Sequence, residues 1–274
     1  MDKNTLIGFL LIGIVLFAFS WFNKPTPEQL EAQRRYQDSI AQIELAKQAE
    51  LQREDSKSTA DNSFDSLPDS ARDARLKSSF GVFAEAMTGT DDVTVLENDL
   101  IELHISNKGG RISYARLKDY TTYDDKPVIL FEGKEASLDF TLVTATNRVL
   151  NTADLYFTPV KTQDPNRLVM RLNTGEGSSL DFIYTVKPDD YMVQFDIKGT
   201  GLNGVLAPST TALDMVWRQK IRQQEQGIKY ENRYTALYYK FLADGVEQLS
   251  ESKSEDKKVS GRLKWIGYKD NFFS

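Results

Sequence analysis

The chain has 274 residues, with 34 Lys and Arg against 40 Asp and Glu, a net charge of −6 and no cysteine. That balance excludes a broad nucleic-acid surface, which needs clustered cations to meet phosphates. The lack of cysteine excludes a disulfide framework and any thiolate metal site.

The first predicted element is Leu6–Phe22, LIGFLLIGIVLFAFSWF, which contains no charged residue. A backbone in lipid must satisfy its own hydrogen bonds, so this stretch predicts a transmembrane helix. Extended over 4–23, it is long enough for a hydrocarbon core of about 30 Å. Leu6, Phe9, Leu16, Trp21 and Phe22 are its expected anchor residues, and Trp21 and Phe22 close it as interfacial aromatics do. A cleaved signal peptide is the weaker alternative. Lys3 is offset by Asp2, and the one small-x-small run, Ala18-Phe19-Ser20, is followed at once by bulky Trp21 and Phe22. Lys3 lies on one side, and Lys24, Arg34 and Arg35 on the other, so charge leaves the orientation open.

Residues 28–55 are rich in Ala, Glu, Gln, Lys and Arg, all good helix formers. Tyr36, Ile40 and Ile43 make too thin a stripe for a coiled coil, so a polar helical stalk is expected. Residues 56–92 are read as a flexible linker because Ser56–Leu76 carries Ser, Asp, Asn and Pro68 with few large apolar groups. Within it, Phe80, Val82, Phe83, Ala86 and Met87 predict a short apolar patch or a single helical turn.

From Val93 the pattern changes to period two. Ile101, Leu103 and Ile105 alternate with Glu102, His104 and Ser106, and Asn107-Lys108-Gly109-Gly110 predicts a turn. Ile112, Tyr114 and Leu117 resume a strand with one slip of phase, as a bulge would produce. Further strands are expected at Val128–Phe131, Leu138–Leu142, Leu155–Thr158 and Leu168–Leu172. Phe182, Tyr184 and Val186, then Tyr191, Val193, Phe195 and Ile197 after Pro188-Asp189-Asp190, predict a hairpin. Leu213–Gln219, Thr235–Leu242 and Leu263–Gly267 are the last expected strands, with Arg218–Tyr234 a solvated arm or short helix and Leu249–Lys258 a polar loop. Residues 93–267 thus predict one mainly β, sandwich-like domain.

Few residues suggest chemistry. His104 is the one histidine and lies on the polar side of its strand beside Glu102. Alone it makes neither a zinc site nor a triad with a second histidine. Gly199-Thr200-Gly201-Leu202-Asn203-Gly204 fits G-x-G-x-x-G, but its neighbours are β-like and Pro208 arrives too soon for the helix a dinucleotide site requires. No spacing selects a pair of acids for glycosidase work. No catalytic residue, metal ligand or cofactor is therefore expected. Trp265, Tyr268, Phe272 and Phe273 stand out instead. Tyr268 and Phe272 are four apart and flanked by Lys264 and Lys269, which predicts that 268–274 starts an amphipathic helix at a membrane interface. A closing strand packed on the β domain is the alternative.

Three stretches carry a family resemblance. They are Met1–Thr5 with the anchor, then Ser106–Ile112 with its Gly109-Gly110 turn followed by Leu117–Tyr120, and Trp265–Lys269 through Phe272-Phe273-Ser274. Together they resemble bacterial YidC membrane insertases of the Bacteroidetes type. The resemblance implies a β-supersandwich, similar to galactose-mutarotase folds, as a periplasmic domain behind one N-terminal transmembrane helix. It implies a cytoplasmic N-terminus in the bacterial inner membrane. It also implies a non-enzymatic role, the insertion and folding of nascent inner-membrane proteins, alone or with the Sec translocon, in contact with the phospholipid bilayer. The segment after 267 would lead toward a membrane core. The alternatives are a membrane-anchored periplasmic carbohydrate-binding or mutarotase-like protein, and a structural envelope protein.

Overall fold

The alternation that begins at Val93 becomes antiparallel sheet. The structure, a computed structural model, describes residues 69–243, 245–250, 254–270 and 273. The expected membrane helix with Leu6, Phe9, Leu16, Trp21 and Phe22, the stalk over 28–55 and residue Phe272 lie outside the described residues. Among those described, no helix is long and apolar enough to cross a membrane.

Strands β1 (Val93–Glu97), β2 (Ile101–Ser106), β3 (Ile112–Thr121) and β4 (Pro127–Glu132) form a four-stranded meander. In β2 the inward residues Ile101, Leu103 and Ile105 are buried, and Glu102 and His104 point the other way, as period two requires. The phase slip expected in β3 is a register shift against β4 between Ala115 and Arg116. Strands β5 (Ala136–Val143), β6 (Val149–Asn151) and β11 (Asp214–Gln219) form a second sheet, ordered β11-β5-β6. Strands β7 (Thr158–Val160), β8 (Arg167–Asn173), β9 (Ser179–Val186) and β10 (Val193–Thr200) form a third, ordered β10-β9-β8-β7. The β9–β10 hairpin pairs Tyr184 with Phe195 and Phe182 with Ile197, as the two apolar runs predict. Asp189 in its turn has φ 57°.

One buried cluster joins these three sheets, through Leu103 and Ile105, Phe140 and Leu142, and Met170, Leu172, Phe182 and Tyr184. Phe182 is its aromatic hub, with ring centroids 4.7 Å from Phe157, 5.4 Å from Phe140 and 5.4 Å from Phe195. Burying each such side chain contributes roughly 1.5–3 kcal/mol. Strand β9 is buried at every position except Thr185. Its Asp181 is tolerated there because the Arg171 guanidinium grips both carboxylate oxygens, at 2.8 and 2.7 Å. Those bonds hold the Asp181 carboxyl below the ordinary aspartate range, against the opposing effect of burial.

A fourth sheet, ordered β13-β12-β14, comprises β12 (Ala236–Phe241), β13 (Val246–Ser250) and β14 (Leu263–Lys269). Its buried Ala236 and Tyr239 stand outside the main cluster.

The structure departs from the sequence expectations at four places. The supposed linker contains helix α1 (Asp69–Phe80) and a 3-10 turn over Gly81–Met87. The 3-10 turn agrees with the apolar patch or single helical turn expected at Phe80–Met87, and Phe83 in it is only 1% exposed and belongs to the core. Of the strand expected at Leu155–Thr158 only Thr158 lies in one, as the first residue of β7, and Tyr156 makes an isolated bridge to Lys108. A 3-10 turn at Thr152–Asp154, capped by Asn151 accepting from the Ala153 amide, precedes it. The polar loop expected from Leu249 begins inside β13, an edge strand whose exposed side chains lack alternation and which is defined by backbone pairing to β12. The predicted interfacial helix does not begin at Tyr268. Tyr268 pairs with Leu237 and Lys269 with Ala236, so β14 runs two residues past Gly267.

Candidate functional site

A cleft of about 740 Å³ lies where the fourth sheet meets β4 and the end of β11. Its walls include Leu130 and Phe131 of β4, Trp217 of β11, Tyr238 of β12, and Trp265 through Lys269 of β14, with Phe273 beyond. Trp265, Tyr268 and Phe273, singled out by the sequence as a membrane-directed group, therefore gather in one cleft, though on a strand and just beyond it. Phe273 packs against the core, with its ring centroid 5.8 Å from that of Tyr120, edge to face. Its carbonyl accepts from the Asp270 amide at 2.8 Å. Tyr268, against Trp217, and Phe273, against Tyr120, thus both touch the β domain.

The floor is fixed by the stretch after β11, which the sequence presents as a solvated basic arm. Arg222 Nε donates to Glu135 at 2.5 Å and its terminal nitrogen to Glu132 at 3.2 Å. Lys220 Nζ reaches Glu135 at 3.2 Å. Burial works against the Glu135 carboxylate, but the bonds from Arg222 and Lys220 outweigh it and hold the group below the ordinary glutamate range. Gln224 donates to the Ile129 carbonyl at 3.0 Å, and its amide donates to the buried Glu231 carboxylate at 2.7 Å. Glu231 belongs to the short helix α2 (Ile228–Glu231). The basic run is thus a strap across the β4–β5 corner. No spacing in the sequence could have revealed it, because Arg222 and its partners lie about ninety positions apart.

The polar groups of the cleft are already engaged or set at its rim. Arg222 is held by two glutamates, and Lys269 Nζ stands 6.0 Å from the Tyr238 ring centroid. Tyr268 donates to the Trp217 carbonyl at 3.0 Å, and burial raises its phenol above the ordinary tyrosine value. What the cleft presents is ring and aliphatic surface, suited to apolar side chains or chains of methylenes.

The other residues noted in the sequence lie elsewhere. Gly109 and Gly110 form the β2–β3 turn with φ of 83° and 61°. A Cβ on Gly110 would lie 2.8 Å from the Phe157 ring, and the buried Tyr184 hydroxyl donates to the Gly110 carbonyl at 2.7 Å. The turn is therefore a packing device. His104 stacks on Tyr114, ring centroids 4.4 Å apart, and shares Glu102 with Arg116. The hydrogen bond from His104, with help from Arg116, lowers the Glu102 carboxyl. After β10 ends at Thr200, the G-x-G-x-x-G run passes into bends and turns with no helix behind it. Among the described residues, no group of three or more His, Asp or Glu is placed to hold a metal ion.

A family model described as the YidC periplasmic domain matches residues 93–274. The membrane protein insertase YidC of Parabacteroides distasonis is 70% identical over 275 residues, covering 100% of this chain and 43% of that protein. The proteins of the same description from Bacteroides fragilis and Porphyromonas gingivalis are 43% and 41% identical, again across 100% of this chain. The chain spans 42% of the former and 43% of the latter.

Proposed function

Because the chain belongs to the YidC periplasmic domain family, we propose that it is the N-terminal part of a membrane protein insertase. In this reading it helps nascent inner-membrane proteins to insert and fold, alone or with Sec translocon components. The observation that carries the proposal is identity of 70% along the whole chain to a protein described as a membrane protein insertase. The described β domain is periplasmic, Leu6–Phe22 is the retained anchor in the inner membrane, and the N-terminus is cytoplasmic. The sheets joined by the Phe182-centred core form a supersandwich. The cleft supports a binding role over a mutarotase-like enzyme, since its surface is mainly rings and aliphatic groups and its Arg222 is already neutralised.

A chimera tests this reading. This chain replaces the corresponding 43% of the Parabacteroides distasonis protein, and the product is reconstituted in vesicles with a newly translated single-span client. Protease-protected client should form at the parent's rate within about threefold, a difference of less than 1 kcal/mol. A chimera that integrates and folds but protects no more client than empty vesicles would refute the proposal.

A further inference from the structure

One face of the fourth sheet combines aromatic, apolar and cationic side chains without a carboxylate. Directly opposed residues on paired strands share a face. The register therefore puts Val246, Lys240 and Trp265 in one row across the three strands. Two rows along is Lys269, with Tyr238 in the row between. No Asp or Glu falls on this face of β12, β13 or β14. Glu247, the acidic residue of these strands, is opposite Tyr239 on the reverse face and accepts its hydroxyl at 2.6 Å. Val246 is 51% and Trp265 42% exposed, although both are large and apolar. The sheet stands outside the main core cluster, and Tyr238, Trp265 and Lys269 of this face also form one wall of the cleft.

We propose that this face docks on the anionic headgroup surface of a phospholipid bilayer. The proposal deepens the membrane-insertase reading and rests on it for the nearness of a bilayer. Trp and Tyr prefer the headgroup level, where an apolar ring and a polar edge are both satisfied. Lys240 and Lys269 supply the complementary charge, with Lys269 Nζ held 6.0 Å from the Tyr238 ring centroid, and long lysine stems let such ammonium groups reach headgroups. The absence of carboxylates matters as much as the lysines, because one Glu on the face would cancel a cation and repel the same lipid.

The test uses the chain's three tryptophans. The full chain carrying Trp21→Phe and Trp217→Phe keeps Trp265 as the sole indole and is checked for an unchanged thermal melt. It is reconstituted with vesicles of phosphatidylcholine, with or without phosphatidylglycerol, doped with a lipid that carries a nitroxide at the headgroup. Trp265 should be quenched in the anionic vesicles and less so in neutral ones or at high salt. Adding Lys240→Gln and Lys269→Gln should lower the docked-to-undocked ratio roughly tenfold or more, as two lysines near an anionic surface imply. Protein that floats with the vesicles while Trp265 stays unquenched overturns the proposal and leaves the anchor intact. Equal quenching in neutral vesicles overturns the charge assignment. If the anchor reading fails, the chain floats only through this face, with anionic vesicles alone, and no flotation at all refutes the face as well. A Trp265 that ignores lipid but shifts to the blue with polyglutamate reassigns the face to an acidic polypeptide.

Discussion

The Tyr268 hydroxyl donates to the backbone carbonyl of Trp217 at 3.0 Å, and the two rings meet edge to face with centroids 4.8 Å apart. This contact fastens β14 of the fourth sheet to β11 of the second at the mouth of the cleft. Tyr268→Phe should cost about 0.5–1 kcal/mol, the low side for one hydrogen bond, because the bond is exposed. Tyr268→Ala should cost roughly 1–1.5 kcal/mol more through the lost ring pair. Urea unfolding of both variants, with a Trp217→Leu cycle, checks the coupling. Independent effects of Tyr268→Ala and Trp217→Leu would refute the ring contact, while the hydrogen bond, made to a backbone carbonyl that any residue at 217 keeps, is read from Tyr268→Phe alone.

Gly110 and Gly133 have nearly the same backbone, φ 61° and 62°, but different surroundings. A Cβ at 110 meets the Phe157 ring, while at 133 nothing lies within 4 Å. Gly133→Ala should cost only the left-handed strain, about 1–2 kcal/mol. Gly110→Ala should cost about 1–3 kcal/mol beyond that through overpacking. Thermal melts of the two alanine variants measure the difference, and equal losses would show that the Phe157 contact is absent.

Phe83 makes the stretch before Val93 part of the domain. Phe83→Ala should destabilise by roughly 3–5 kcal/mol, as expected for a large core ring. A chain whose first residue is Val93 should lose at least as much. Chemical denaturation of this shortened form beside one that keeps Asp69 onward decides the point. Equal stability would place Phe83 outside the core.

Asp181 should make the domain acid-sensitive. Arg171 lowers its folded pKa, so its contribution is fully present above the unfolded value near 3.9 and disappears as pH falls through the lower folded value. Arg171 is 40% exposed, so the ion pair is partly screened and Asp181→Asn should cost about 1–2 kcal/mol at pH 7. The gap between the two proteins should stay constant from pH 8 to about 5 and narrow below about 4. Unfolding curves across that range measure it. A gap that widens in acid would contradict the sign.

The sequence was most readable where one face of a strand is buried. Leu103 and Ile105 alternate with polar neighbours, and the Phe182–Tyr184 and Phe195–Ile197 runs mark the β9–β10 hairpin, whose register the structure supplies. Residues whose position depends on distant partners were not readable. Phe83 belongs to a recognisable apolar patch, but nothing near it in sequence shows that the patch joins the core, because its contact with β8 comes from about ninety positions away. Arg222 looks solvated until Glu132 and Glu135 are brought beneath it. β13 escaped notice because an edge strand exposed on both sides carries no alternation. Trp265 and Tyr268 stand out in the sequence, but the four-residue step from Tyr268 to Phe272 does not decide their element. Backbone pairing of Trp265 with Lys240 and of Tyr268 with Leu237 does.

The membership of Phe83 and Phe182 in one buried cluster also sets a timetable for biosynthesis. About a hundred residues separate them, so at roughly 5–20 residues per second the later ring is made about 5–20 s after the earlier. Through that interval the 3-10 turn and the β1–β4 meander emerge with their apolar faces uncovered. Hairpins can zip locally in microseconds, but the joint core waits for β8 and β9. The first half of the domain is therefore a natural client for a holding chaperone during its own synthesis.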